Sequence, residues 1–209
     1  WGYTFAGIWQ EDEVNAPFVD ANGQTNGKTN GEVYKVKPGN SKYVDINKDG
    51  VYNDADQGII GCGQPTFNWG WNNTFNYKNF DFSFFVVGFH GFDIYNATHQ
   101  MGYNLIKSQQ VAGVTPMREL LNRWTPTNTN TNIPGFVNGG TENKDFFSTR
   151  FVENGSFIKM KSITLGYTLP ETACRALGIT NLRVYASVQN PFHITNYSGL
   201  DPEATMGSP

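Results

Sequence analysis

The stretch DINKDGVYNDAD, Asp45 to Asp56, sets oxygen-bearing side chains at the spacing of a calcium loop. With Asp45 as the first position, the ligands fall on Asp45, Asn47, Asp49, the Val51 carbonyl, Asn53 and Asp56. Short acidic and amide side chains on alternate residues can converge on one hard cation. Gly50 sits where the chain must reverse. Asp at the last position reaches less far than Glu, so it would bind through one oxygen and more weakly. The spacing therefore predicts Ca2+ in a structural role. A cluster of Asx turns, bonded to its own backbone, has the same composition. No amphipathic helix flanks the loop, so it does not read as a sensor EF-hand. An ion bound there would stabilise a long connection by favouring its folded form.

Little else has the spacing of a reactive site. His90, His99 and His193 are scattered, and no GxSxG, HExxH or phosphate-loop pattern occurs. Glu11, Asp12 and Glu13 read as a solvated acidic cluster rather than a glycosidase pair. The chain is expected to be non-catalytic. A net charge of -3 leaves no basic field for nucleic acid.

The elements that must position the loop are strands. Aromatic residues make up 15% of the chain and charged residues only 16%, below the roughly 25% usual for soluble domains. In TFNWGWNNTFNY, Thr66 to Tyr77, Phe67, Trp69, Trp71, Phe75 and Tyr77 hold the odd positions. Asn68, Gly70, Asn72, Thr74 and Asn76 hold the even ones, a period of about two that defines a strand. Lys78-Asn79 links this run to a second one, Phe80 to Phe92, to form a hairpin. SFIKMKSITLGYTL (Ser156–Leu169) and NLRVYASVQ (Asn181–Gln189) alternate in the same way, with a short helix expected between them over Pro170–Leu177. The opening WGYTFAGIW reads as another strand end.

The connections are lopsided. The links at residues 78–79 and 170–180 are short, whereas residues 10–65 and 96–147 are long. If strands run alternately up and down, both short links fall on one side and both long ones on the other. That is the pattern of an outer-membrane β-barrel, with long extracellular loops and short periplasmic turns. The expected fold is all-β: antiparallel up-and-down strands of a large transmembrane barrel, residues 66–95 forming a hairpin and 155–190 two strands. The chain as a whole, 1–209, is expected to be part of something larger. The alternative is a soluble calcium-stabilised β-module that binds carbohydrate. An even cysteine count would suit a bridge. The topology, however, sets Cys62 and Cys174 on opposite sides of a bilayer about 30 Å thick, too far apart for one.

These segments carry a family resemblance. GIWQEDE (Gly7–Glu13), KPGNSKYVDINKDGVYNDADQGIIG (Lys37–Gly61) and PTFNWGWNNTFNYKNFDFSFFVVGFHGFDIYN (Pro65–Asn96) come first in order. RFVENGSFIKMKSITLGYTLP (Arg150–Pro170) and LRVYASVQNPFHITNYSGLDPE (Leu182–Glu203) follow. In this order, over almost the whole chain, they resemble the C-terminal barrel portion of SusC/RagA-type TonB-dependent outer-membrane transporters of Bacteroidetes. The resemblance implies a segment of about five strands from a barrel of about 22 with a plugged lumen. It implies import of glycans or peptides in the cell outer membrane, surrounded by lipid. It implies a SusD-like lipoprotein partner, and coupling to TonB through N-terminal segments expected to lie outside this chain. On that reading Trp69, Trp71, Phe75 and Tyr77 face lipid. Sugar contact is expected in the long outer loops, near Trp124, Phe136 and Phe146.

Overall fold

A computed structural model of the chain describes residues 1–103, 117–135 and 146–206. It forms two compact units, Trp1–Gly61 with Tyr95–Val152 and Cys62–Ile94 with Glu153–Pro209.

The first unit is built from short pieces. Its strands are β1 (Gly2–Tyr3), β2 (Phe5–Ile8), β3 (Pro17–Val19), β4 (Thr25–Thr29), β5 (Ser41–Tyr43) and β6 (Gln57–Gly58). They pair antiparallel as β1–β6, β2–β5 and β3–β4. Helices α1 (Glu11–Asn15), α2 (Asn30–Tyr34) and α3 (Ala97–Tyr103) complete it. Helices this short are not stable alone. Capping and packing hold them. At α2, Thr29 Oγ1 accepts the Glu32 N–H at 3.3 Å, while Glu32 Oε2 accepts the Thr29 N–H at 2.8 Å. Trp9, Val14 and Val36 are buried together, with Tyr34 packed against them. Residues 10–65 are therefore not a bare loop. Neither does WGYTFAGIW add a fifth strand to the long sheet. Gly7, at φ 119°, shifts the register between Phe5 and Gly7, and the segment pairs with β5 and β6 instead.

The second unit holds β7 (Phe67–Tyr77) and β8 (Phe80–His90), joined by a two-residue turn in which Lys78 has φ 52°. The short strands β9 (Asp93–Tyr95) and β10 (Val152–Asn154) pair with each other. Then come β11 (Phe157–Thr168) and β12 (Arg183–Thr195), separated by α4 (Glu171–Ala176). The long sheet has the order β12-β11-β8-β7, antiparallel throughout. Its two short links lie at one end, where the Thr168 N–H donates to the Asn79 carbonyl at 2.8 Å. Helix α4 ends in a Schellman motif: Ile179 N–H reaches Cys174 O at 3.0 Å and Gly178 N–H reaches Arg175 O at 3.1 Å. Gly178 takes the left-handed conformation, φ 71°, that this ending requires. The helix matches the expected span, and β12 runs past Gln189 to Thr195.

One irregularity keeps the sheet two-faced. In β11 the apolar residues are even-numbered at Ile158 and Met160, then odd-numbered at Ile163, Leu165 and Tyr167. Between Met160 and Ser162 the register to β8 shifts by one residue. Lys161 is the extra residue of a bulge, and both sets of apolar side chains stay on one face. Opposite it, β12 loops out Asn190 and Pro191, with Asn190 at φ 49°. Pro191 sits where no ladder hydrogen bond is needed.

Gly166 supports the other face. Arg183 on β12 grips Asp81 on β8 with two bonds, Nε to Oδ1 at 3.0 Å and Nη2 to Oδ2 at 2.6 Å. The pair reaches across β11 over Gly166, where a Cβ would overlap both groups. Strand propensity favours Val over Gly, but overlap should dominate here. Gly166→Val should destabilise the full-length protein by about 1–3 kcal/mol in urea unfolding. A neutral or stabilising result would show that the ion pair does not depend on the glycine.

Candidate functional site

Register decides which side chains share a face of the long sheet. Phe67, Trp69, Trp71, Phe75 and Tyr77 of β7 stand opposite His90, Gly88, Val86, Phe82 and Phe80 of β8. The same face continues through Ile163, Leu165 and Tyr167 of β11 and Val188, Ala186 and Val184 of β12. It carries no Asp, Glu, Lys or Arg. It is also open to its surroundings: Phe67 is 60% exposed, Trp71 54%, Phe75 54% and Tyr77 70%. Trp69 lies over Gly88 and donates its Nε1–H to His90 Nε2 at 3.2 Å. An apolar surface of this extent is not left to water.

The opposite face is mixed: Phe85, Val87, Phe89 and Phe157 share it with Asn, Ser and Thr side chains and with charges that are paired. Besides Asp81–Arg183, Lys159 is only 6% exposed and bonds Asp201 and Glu203, each at 2.7 Å. Lys161 bonds Glu203 as well. These contacts tie α5 (Pro202–Met206) to β11. Phe92, Ile94 and Phe157 close one end of this unit as a buried cluster. The alternation pointed to the two faces. It did not reveal the lysine–carboxylate cluster, because the partners of Lys159 lie 42 residues or more away.

The Asp45–Asp56 loop lies in the first unit. Asp45 Oδ2 accepts the Gly50 N–H and the Tyr34 hydroxyl, both at 2.8 Å. Asp45 Oδ1 is buried with no hydrogen-bond donor. Asp49 Oδ1 accepts the Val51 N–H at 2.8 Å, and its Oδ2 accepts the Asn47 and Asn53 amides at 2.9 and 3.2 Å. The Val51 N–H, then the Asn47 amide, hold the Asp49 carboxyl below its usual pKa. Asp56 is 1% exposed and accepts the Ile46 and Asn53 N–H groups at 2.9 and 3.0 Å. It fastens the two ends of the loop to each other. Burial, then the Asp45 carboxylate, raises the Tyr34 phenol above its ordinary value, and burial pushes Tyr52 up to about 12. Among the described residues no three His, Cys, Asp or Glu side chains gather as a metal cluster. As folded, the loop is a set of Asx turns with a buried carboxylate oxygen, Asp45 Oδ1, left over.

The other sequence candidates have structural surroundings. Trp124 donates its Nε1–H to Gln10 Oε1 at 2.9 Å and packs against Gly39 and Gly135. Phe146 joins Tyr3, Tyr43 and Tyr52 in an aromatic cluster. Phe136 lies outside the described residues. Glu11, Asp12 and Glu13 open α1, and Glu13 pairs with Lys42 at 2.6 Å. Cys62 is an exposed free thiol and Cys174 a buried one.

Four antiparallel strands of 11 to 13 residues can each cross a bilayer, for which about 9–11 suffice. With one apolar face and one polar face, they define the class: wall strands of a transmembrane β-protein. The comparisons give the family. No family model matches the chain. TonB-dependent receptor P3 of Formosa agariphila is 31% identical over 98% of this chain and 18% of its own length. TonB-dependent receptor SusC of Bacteroides thetaiotaomicron is 31% identical over 82% of this chain and 16% of its own. A solved structure of the RagAB peptide transporter matches with TM-score 0.67 and 21% identity, over 97% of this chain and 20% of that one. The chain belongs to the TonB-dependent receptors of the outer membrane, in the group that includes SusC. It spans about a fifth of the length of the relatives it matches.

The faces make opposite demands on charge. Trp71→Arg, near the middle of β7, should cost the full-length receptor about 2–4 kcal/mol in urea unfolding from lipid vesicles. Asn72→Arg, one residue along, should change it by under about 1 kcal/mol. Equal effects at both positions would contradict the two-faced assignment.

Proposed function

We propose that this chain supplies wall strands and outer connections of a TonB-dependent transporter that imports glycans or other oligomeric nutrients. It works with a SusD-like lipoprotein and with TonB, and it performs no catalysis. The observation that carries the reading is the long sheet. An uncharged aromatic face backs one that carries paired charges, in a sequence related to TonB-dependent receptors over 98% of its length. The exposed aromatic face argues against a soluble carbohydrate module. The fold shared with a structure described as a peptide transporter supports an oligomeric cargo. Deleting the full-length gene should abolish uptake of one class of labelled oligosaccharide or peptide, and deleting tonB should do the same. Uptake of every such probe that persists in both deletions would overturn the reading.

We further propose that the Asp45–Asp56 loop holds Ca2+ as a structural clip. The ligand spacing and the unsatisfied Asp45 Oδ1 support this. Asp45, Asn47, Asp49, the Val51 carbonyl and Asn53 are the groups that would hold the ion. Asp56, whose oxygens each accept one N–H and keep a second lone pair, would complete the set. The ion would neutralise a buried carboxylate oxygen that now has no partner. Ca2+ should slow proteolysis within residues 10–65 of the full-length receptor, a chelator should reverse this, and Asp49→Ala should remove the effect. Cleavage that ignores both Ca2+ and the substitution would show that no ion binds.

A further inference from the structure

An asparagine followed by glycine exposes its side-chain amide to attack by the next peptide nitrogen, because glycine has no Cβ to shield that nitrogen. Five such pairs occur, at Asn22, Asn26, Asn30, Asn138 and Asn154. Asn138 lies outside the described residues. We propose that the fold selects Asn26, among the other four, for spontaneous conversion to aspartate and isoaspartate, with water as the only co-reactant. The proposal is independent of the transport reading.

Asn26 lies in a bulge of β4. Between the paired positions Val19–Thr25 and Pro17–Thr29, the single residue Phe18 stands opposite Asn26, Gly27 and Lys28. Gly27 therefore has no partner in register. It is exposed, at φ 76°, and a Cβ there would meet nothing within 4 Å, so solvent base reaches its N–H. The Lys28 N–H donates to Asn26 Oδ1 at 3.0 Å. That bond fixes the side chain beside Gly27 and stabilises negative charge as it develops on Oδ1.

The other three pairs each lose a part of this arrangement. At Asn22 the nucleophile is engaged: the Gly23 N–H donates to the Asp20 carbonyl at 3.0 Å. Asn30 opens α2, its Nδ2 donates to the Glu13 carbonyl at 2.9 Å, and Val14 packs against Gly31. Asn154 has the same helper as Asn26, the Ser156 N–H on its Oδ1 at 2.8 Å. However, Gly155 is buried against Phe92 and Ile94, and its N–H donates to the Phe92 carbonyl at 2.9 Å.

The step balances without an oxidant or reductant. Gly27 N gives its proton to solvent base and attacks Asn26 Cγ. The new N–Cγ bond pushes an electron pair onto Oδ1. The pair returns as the Cγ–Nδ2 bond breaks, and Nδ2 takes a proton from water and leaves as ammonia. Water then opens the five-membered imide at either carbonyl. Opening at Cγ gives aspartate. Opening at the backbone carbonyl gives isoaspartate, whose main chain is longer because it runs through Cβ and Cγ. Either product exchanges a neutral amide for a carboxylate. A bulge outside the register accommodates the longer chain without breaking the Val19–Thr25 and Pro17–Thr29 pairs.

The test ages the purified full-length receptor in lipid vesicles in mildly alkaline buffer. Peptide sequencing by mass spectrometry follows each Asn-Gly pair, and methylation by an isoaspartate methyltransferase reports the isoaspartate product. Asn26 should convert about fivefold or more faster than Asn22 or Asn154, the factor that one broken hydrogen bond supports. In urea, where the fold is lost, the preference should vanish. An intact Asn26, equal rates at the four positions in the folded receptor, or faster conversion at another of them would overturn the proposal. A preference for Asn26 that persists in urea would also overturn it, because the neighbouring sequence and not the fold would then make the selection.

Discussion

Successive side chains of a strand point to opposite faces, and everything in the long sheet depends on keeping that parity. A strand between hydrocarbon and an aqueous lumen has no tolerance for a slip, because one residue of shift would exchange the whole apolar set for the polar one. In β11 the sequence itself contains such a slip, at Lys161, and the fold absorbs it as a bulge. The looped-out Asn190 and Pro191 of β12 face the same point. With the bulge in place, Trp71, Val86, Met160 and Phe192 line up across all four strands.

The polar face follows from the same constraint. With no charge admitted to the outer face, the charges of the sheet collect on the other. They are accordingly paired. Asp81 meets Arg183 over a glycine, and Lys159 meets two carboxylates from beyond the end of β12. Breaking one partner of Lys159 would leave a buried ammonium short of a counter-charge, which costs more than the pair contributes. The first unit is organised differently. Its strands are short and pair only two by two, and aromatic packing and side-chain hydrogen bonds add to those ladders. Asp56 is the clearest instance, a carboxylate buried to fasten a loop.

The parts legible in the sequence were those with a period. The hairpin β7–β8, the strands β11 and β12 and the helix between them lie within a few residues of where alternation and turn residues set them, apart from the extension of β12 to Thr195. The bulge was not legible in advance, although the change from Met160 to Ile163 parity was its signal. The compact build of residues 10–65 was hidden because two- to five-residue strands show no period. In the Asp45–Asp56 loop the spacing showed which residue types alternate but not what they contact. Asp49 and Asp56 bond to backbone amides, and Asp45 Oδ1 is buried without a donor. Trp124 and Phe146 illustrate the same limit: aromatic type does not separate a platform from a pin.

The central claim is that one face of β7 meets lipid and the other water. Nitroxide labels placed one at a time at residues 68 to 76 of the full-length receptor, reconstituted in lipid bilayers, measure it directly. Collision with oxygen should be high at 69, 71 and 75, and collision with a water-soluble nickel chelate high at 68, 70, 72, 74 and 76. Uniform access to the nickel chelate along the strand would contradict the account.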